Sequence, residues 1–221
     1  MPPLKTRDNK TADTDQQKAE ALNTQFTSVY TETEYESRPV SLTCITCKLL
    51  EHVICSNLTQ HFEDHNILNS RQYAFRRRYS CETQLINVIH DWATAIDNRK
   101  QTFLDFEKAF DTVPHELLKS KLHGVRKNIL NWINAFLSTR SQCVVVNGIK
   151  SKTSTVLPGV PQGTVLGPIL FLVHINDIAE NVTSEFRLFA DDCVCNREIK
   201  NEDDCVELQK DIDTLGNWAT H

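Results

Sequence analysis

Two aspartates, Asp191 and Asp192, stand side by side inside EFRLFADDCVC, where apolar residues alternate on either side of them. Alternation with a period of two is the mark of a half-buried strand. The segment therefore reads as a hairpin with both carboxylates at its tip. A lone two-stranded hairpin is marginal in water, so this one needs further strands or helices against it. TFLDF, a short apolar segment of strand character ending at Asp105, is a candidate neighbour. Three acids at the rim of one small sheet follow from that pairing.

The remaining segments supply helices and one more hairpin. Residues 1 to 16 read as a polar, disordered tail, and a short amphipathic helix follows from Gln17 to Tyr30 on Ala21, Leu22, Phe26 and Val29. Ser41 or Thr43 can cap a helix whose apolar face is Leu49, Leu50, Val53, Ile54, Leu58 and Phe62. Ser80 can cap another, with Leu85, Ile86, Ile89 and Trp92 at helical spacing. Pro114 opens a helix through HELLKSKL, and ILNWINAFL gives the next. Asn147-Gly148 between two β-branched runs predicts a tight hairpin. Gly159-Val160-Pro161-Gln162-Gly163 makes a loop before an apolar helix around PILFLVHINDI, and residues 202–218 form a last helix on Val206, Leu208, Ile212 and Leu215. The fold class is α+β, a small antiparallel sheet packed on helices.

Charge and composition narrow the function classes. The net charge of -5 argues at first against nucleic acid. It is concentrated at the ends: residues 1–37 carry -3 and residues 197–221 carry -4, leaving +2 across the centre. No run approaches the roughly 18 apolar residues of a membrane span, and the polar N-terminus lacks a signal-peptide core. The expectation is a soluble intracellular protein of the nucleus or cytoplasm, without a membrane partner and of unknown oligomeric state. The 8 cysteines then read as reduced thiols. Cys44 and Cys47, and Cys193 and Cys195, lack a second pair or histidines at zinc spacing, and read as small buried residues on a helix and a strand.

Paired carboxylates at a sheet rim suit hard divalent cations, and phosphoryl transfer commonly uses two such ions about 4 Å apart. An Asp-Asp pair at a turn is by itself ordinary turn chemistry. Its surroundings carry more. LDFEKAFDTVPHELL resembles the first palm motif of reverse transcriptases, GVPQGTVLGPILF the second and FADDCV the third, in the same order. The resemblance is strongest to the enzymes of non-LTR (LINE-type) retrotransposons, and RPVSLTCITCKLLEHV with FRRRYSCETQL resembles their fingers region.

The resemblance implies a polar N-terminal tail and short helix over 1–36 and a reverse transcriptase domain over 37–221. Residues 37–100 would be fingers-like and 101–221 palm. It implies an RNA-directed DNA polymerase using an RNA template, a DNA primer, deoxynucleoside triphosphates and two Mg²⁺ or Mn²⁺. Asp105 and Asp191, with the backbone carbonyl of Phe106, would hold the metals, and Asp192 would support the site. Phe110 would be the steric gate against a ribose 2'-hydroxyl. Gln162 and Gly163 would approach the incoming nucleotide, Arg76 and Arg78 would grip its triphosphate, and Arg38 and Lys48 would contact template.

This sequence also departs from the family pattern. Arg99-Lys100-Gln101 comes just before Asp105, which predicts a stub where a longer strand usually runs. Ala74 stands where the fingers motif usually has glycine, and Asn196 where an aromatic is common. The chain stops at His221, ahead of the family's later palm motifs, so the expectation is a fingers–palm fragment without a thumb. The alternative reading is a catalytically inactive retrotransposon remnant that at most binds nucleic acid. A two-metal nuclease is disfavoured, because it has no use for Gln162 or Phe110.

Overall fold

The computed structural model describes residues 4–5, 11–12, 14, 16–20, 43–95, 101–105, 109–138, 140–156 and 159–220, with backbone alone for 4–5, 11, 91–95 and 101–105. In chain order the elements are β1 (Leu4–Lys5), β2 (Thr11–Ala12), α1 (Ile45–Asp64), α2 (Cys81–Ala95), β3 (Gln101–Asp105), α3 (Ala109–Thr112), α4 (His115–Lys121) and α5 (Lys127–Ser138). They continue with β4 (Ser141–Gln142), β5 (Val145–Val146), β6 (Ile149–Lys150), β7 (Ser154–Thr155), α6 (Gly167–His174), β8 (Glu185–Phe189), β9 (Asp192–Asn196) and α7 (Glu202–Ala219). Helices and small antiparallel sheets make this an α+β protein. Chain contacts divide it into two units, Met1–Leu42 with Phe110–Gly163, and Thr43–Ala109 with Thr164–His221.

In the first unit β1 pairs antiparallel with β2, Leu4 opposite Ala12, where the polar composition predicted a disordered tail. Ala12 is buried, which gives the pair an apolar anchor that composition averages hide. Residues 16–20 are helical, and the rest of the predicted Gln17–Tyr30 helix lies outside the described residues. Val113, Leu118, Leu122, Ile133, Leu137, Val156 and Val160 are buried here. The Asn147-Gly148 hairpin forms as expected: β5 pairs with β6, and both turn residues have positive φ, 48° and 84°. Two consecutive left-handed residues are what a right-twisted two-residue hairpin requires.

The second unit is built on a three-stranded sheet in the order β3-β9-β8, all antiparallel. β3 is not a stub. Its five residues pair along the whole of β9, from Gln101 opposite Asn196 to Asp105 opposite Asp192. Phe186, Leu188, Cys193 and Cys195 are buried on alternate positions of β8 and β9, giving the sheet one covered face. α6 is apolar on nearly every side and buried at Ile169, Leu170, Phe171, Leu172 and Val173, as a helix through a core must be.

The sequence identified α1 and α2 but misjudged their faces. Ile54, Leu58 and Phe62 of α1 are buried as expected, whereas Leu49, Leu50 and Val53 are 61%, 46% and 60% exposed. On α2 the buried positions are Gln84 and Val88, while Leu85, Ile86 and Ile89 face outward; the Trp92 side chain lies outside the described residues. Ser80 caps α2 as expected, its hydroxyl accepting from the Thr83 amide at 3.2 Å. The α1 cap is Cys44 rather than Ser41 or Thr43, its sulfur accepting from the Cys47 amide.

Candidate active site

Asp191 occupies the second position of a two-residue turn joining β8 to β9, and Asp192 is the first residue of β9. Asp105, the last residue of β3, is directly opposite Asp192 in the ladder. Residues paired across an antiparallel ladder share a face, with Cβ atoms typically about 5 Å apart. One end of one sheet thus carries three acidic positions. Such a donor set, all carboxylate oxygen, suits a hard divalent cation. Among the described side chains no group of three or more metal-ligating residues is assembled; that of Asp105 is not among them. Phe106 also lies outside the described residues.

The turn is tight and its first residue is not glycine. Ala190 has φ 56°, a left-handed conformation that costs a non-glycine residue about 1 kcal/mol or more. Backbone from the 71–73 segment runs alongside β8: the Leu188 amide donates to the Arg71 carbonyl at 2.9 Å, and the Tyr73 amide to the Leu188 carbonyl at 3.0 Å. Between them Gln72 points its carboxamide oxygen at the Ala190 amide, 3.0 Å away. Nothing in the sequence singled out Gln72; a lone glutamine in a basic segment has no periodicity or motif of its own.

The arginines expected to grip phosphate divide. Arg76 makes a two-pronged pair with Glu63, Nε to Oε1 at 2.9 Å and Nη2 to Oε2 at 2.7 Å, and its third nitrogen donates to the Asn69 carbonyl. Its guanidinium also stands 4.7 Å from the Tyr79 ring centroid. The Arg76 hydrogen bonds hold Glu63 below the usual carboxylate range. Arg76 therefore fixes the 69–79 loop onto α1. Arg78 is exposed with φ 69°, and Arg77 is exposed beside Gln60. Ala74 is buried and avoids positive φ; Phe75, at 55°, takes that conformation instead. Lys48 lies half-buried in the first turn of α1, and Arg38 is outside the described residues.

In the first unit the segment bearing Phe110 and the Gly159–Gly163 loop are joined by backbone. The Val160 amide donates to the Phe110 carbonyl at 2.7 Å and the Gly159 amide to the Val113 carbonyl at 3.0 Å. Gly159 has φ 86°, and a Cβ there would come 2.6 Å from the Asp111 carbonyl oxygen, so only glycine fits. Gln162 is half-buried and Gly163, φ 80°, is exposed. Phe110, Gln162 and Gly163 belong to this unit, and the three aspartates with Arg76 and Arg78 to the other.

Glu51 is a second residue that sequence reasoning missed. It is 1% exposed, and one carboxylate oxygen accepts from the amides of Val165 at 2.8 Å and Leu166 at 3.1 Å. A carboxylate at these amides complements the N-terminus of α6. Its signal was a glutamate inside an otherwise apolar stripe of α1. The cysteines also differ from expectation. Cys193 and Cys195 are buried, but Cys44 and Cys47 are exposed, with sulfurs 3.1 Å apart. The Thr46 hydroxyl, and then Cys47, pull the Cys44 thiol down to about 7.

Comparison with known proteins agrees with this reading. Residues 32–221 match the family described as reverse transcriptase (RNA-dependent DNA polymerase). The probable RNA-directed DNA polymerase from transposon X-element of Drosophila melanogaster is 29% identical over 82% of this chain and 21% of its own length. The RNA-directed DNA polymerase from mobile element jockey of the same fly is 32% identical over 67% of this chain and 17% of its own. The probable RNA-directed DNA polymerase from transposon BS is 28% identical over 82% and 22%. The chain thus spans about a fifth of the length of these curated relatives. With acidic positions at the end of one sheet and the family match running from residue 32 to the last residue, the chain belongs to the reverse transcriptase family.

Proposed function

We propose that this chain is the fingers–palm part of an RNA-directed DNA polymerase, extending a DNA primer on an RNA template from deoxynucleoside triphosphates. The observation that carries the reading is the register that sets Asp105 opposite Asp192, with Asp191 next to it in the turn. Asp105 and Asp191, with the Phe106 carbonyl and support from Asp192, would hold two Mg²⁺ or Mn²⁺. Bound there, the ions would supply Lewis-acid activation of the primer 3'-hydroxyl and neutralise triphosphate charge.

The chain's own residues would do the rest. Gln162 and Gly163 would meet the incoming nucleotide, with the Gly163 backbone free to approach closely because it carries no Cβ. Phe110, tied through its carbonyl to the same loop, would exclude a 2'-hydroxyl. Arg78, exposed next to the anchored Arg76, would take the triphosphate, with Arg76 keeping its loop in place. Lys48 and Arg38 would contact template phosphates.

Primer extension on an RNA template with Mg²⁺ or Mn²⁺, beside an Asp191→Ala control, tests this. Extension by the wild-type chain and none by the control is the expected outcome. Equal products from both would rule the activity out for this chain, and salt-sensitive RNA binding without synthesis would leave the noncatalytic reading.

A further inference from the structure

We propose that Gln72 is a positioning residue for the acidic turn, its buried carboxamide oxygen holding the Ala190 backbone so that Asp191 and Asp192 present a metal-binding arrangement. The inference rests on the polymerase reading of those aspartates. It starts from a problem in the turn itself. In a two-residue hairpin the ladder ends at the flanking residues, here Phe189 and Asp192, so the Ala190 amide has no partner across the strands. Ala190 is 6% exposed, which keeps that amide from water. A buried donor needs an acceptor. It also needs one that keeps Ala190 at φ 56°, where no glycine lowers the cost.

Gln72 supplies that acceptor from outside the hairpin. Its oxygen takes the Ala190 amide at 3.0 Å and the Ala74 amide at 2.9 Å. Because both neighbours are donors, the oxygen and not the nitrogen must face them. The residue is 2% exposed, and its backbone is fixed beside β8 by the parallel bridge to Leu188 and the two flanking hydrogen bonds. The carboxamide nitrogen is buried without a hydrogen-bond partner among the described residues. A side chain that leaves its donor unpaired in order to place its oxygen has its use in the oxygen.

Two substitutions separate the oxygen from the bulk. Gln72→Met keeps the length and loses the acceptor; Gln72→Glu keeps an acceptor and removes the unpaired donor. Amide exchange at Ala190, followed by NMR without metal, should quicken at least about tenfold in Gln72→Met and stay near wild type in Gln72→Glu. Mn²⁺ affinity by calorimetry should fall about tenfold or more in Gln72→Met, as it does when groups that orient metal ligands are lost, and remain within about threefold in Gln72→Glu. Unchanged Ala190 exchange in Gln72→Met, or equal impairment of both variants, would overturn the proposal. If Gln72→Met does not fold, Gln72→Glu decides alone: wild-type exchange and affinity support the proposal, and loss of either overturns it. Asp191→Asn keeps the two claims apart. Mn²⁺ binding indifferent to that change ends the polymerase reading, whereas binding lost there but intact in Gln72→Met ends only the role of Gln72.

Discussion

Arg76 and Arg78 are two residues apart and have opposite surroundings. Arg76 spends its guanidinium on Glu63 and the Asn69 carbonyl, and its side chain is 8% exposed; Arg78 is exposed. Replacing Arg76 by alanine should cost about 2 kcal/mol, the range for charge-assisted hydrogen bonds at a partly buried site, read as a lowered denaturation midpoint. Arg78→Ala should leave that midpoint unchanged and weaken nucleotide use, so an equal loss of stability in both variants would contradict the division of labour. The sequence could place three arginines in a fingers-like segment but not apportion them, because partners such as Glu63 are distant in the chain and carry no local mark. Cys44 is a second case. Its thiol is exposed and drawn down to about 7 by Thr46 and Cys47 at the start of a helix, whereas burial pushes Cys195 up to about 11. Alkylation followed by mass spectrometry should show Cys44 modified with a midpoint near pH 7, ahead of its neighbour Cys47, whose thiol is raised by Cys44, and with Cys195 untouched. Thr46→Val should move that midpoint upward.

At the scale of elements, α7 is tied down through a buried acid. Asp211 accepts from the amides of Thr183 at 3.1 Å and Ser184 at 2.8 Å and from both hydroxyls, with Arg197 3.8 Å away. Burial pushes its carboxyl up, but these hydrogen bonds outweigh that and leave it below the ordinary value. A carboxyl lowered by folding contributes stability above its unfolded value, near 3.9, and loses it as pH falls through the folded one. Acid titration of stability should therefore be shallower in Asp211→Asn below about pH 4, and that variant should be less stable than wild type at neutral pH; parallel curves would contradict the assignment. The β8–β9 and β5–β6 hairpins were legible because alternation and the Asn147-Gly148 pair are local signals, whereas the β1–β2 pair, set in a polar segment, carried none. The faces of α1 and α2 were not. Periodicity finds an apolar stripe, but Leu49, Val53, Leu85 and Ile86 show that it cannot tell what covers the stripe. The strand at TFLDF was legible as well, and the structure adds only Gln101 at its start, since ladder hydrogen bonds form on backbone and do not require an apolar side chain there.

For the whole molecule, the motifs revealed the family while the supports of the site stayed hidden. Asp105, Asp191 and Asp192 are recognisable in order along the chain; Gln72 and Glu51, which anchor the acidic turn and the start of α6, are polar residues whose use depends on folding. The central claim is that strand register brings Asp105 to the adjacent pair Asp191 and Asp192, so that the three can serve one cation site. Calorimetric titration of Mn²⁺ into the purified chain, beside Asp105→Asn and Asp191→Asn, tests it most directly. The account predicts binding by the wild-type chain that each single substitution weakens by on the order of a hundredfold, more than loss of an orienting neighbour would. Binding that survives both substitutions unchanged, or no binding by the wild-type chain, would contradict it.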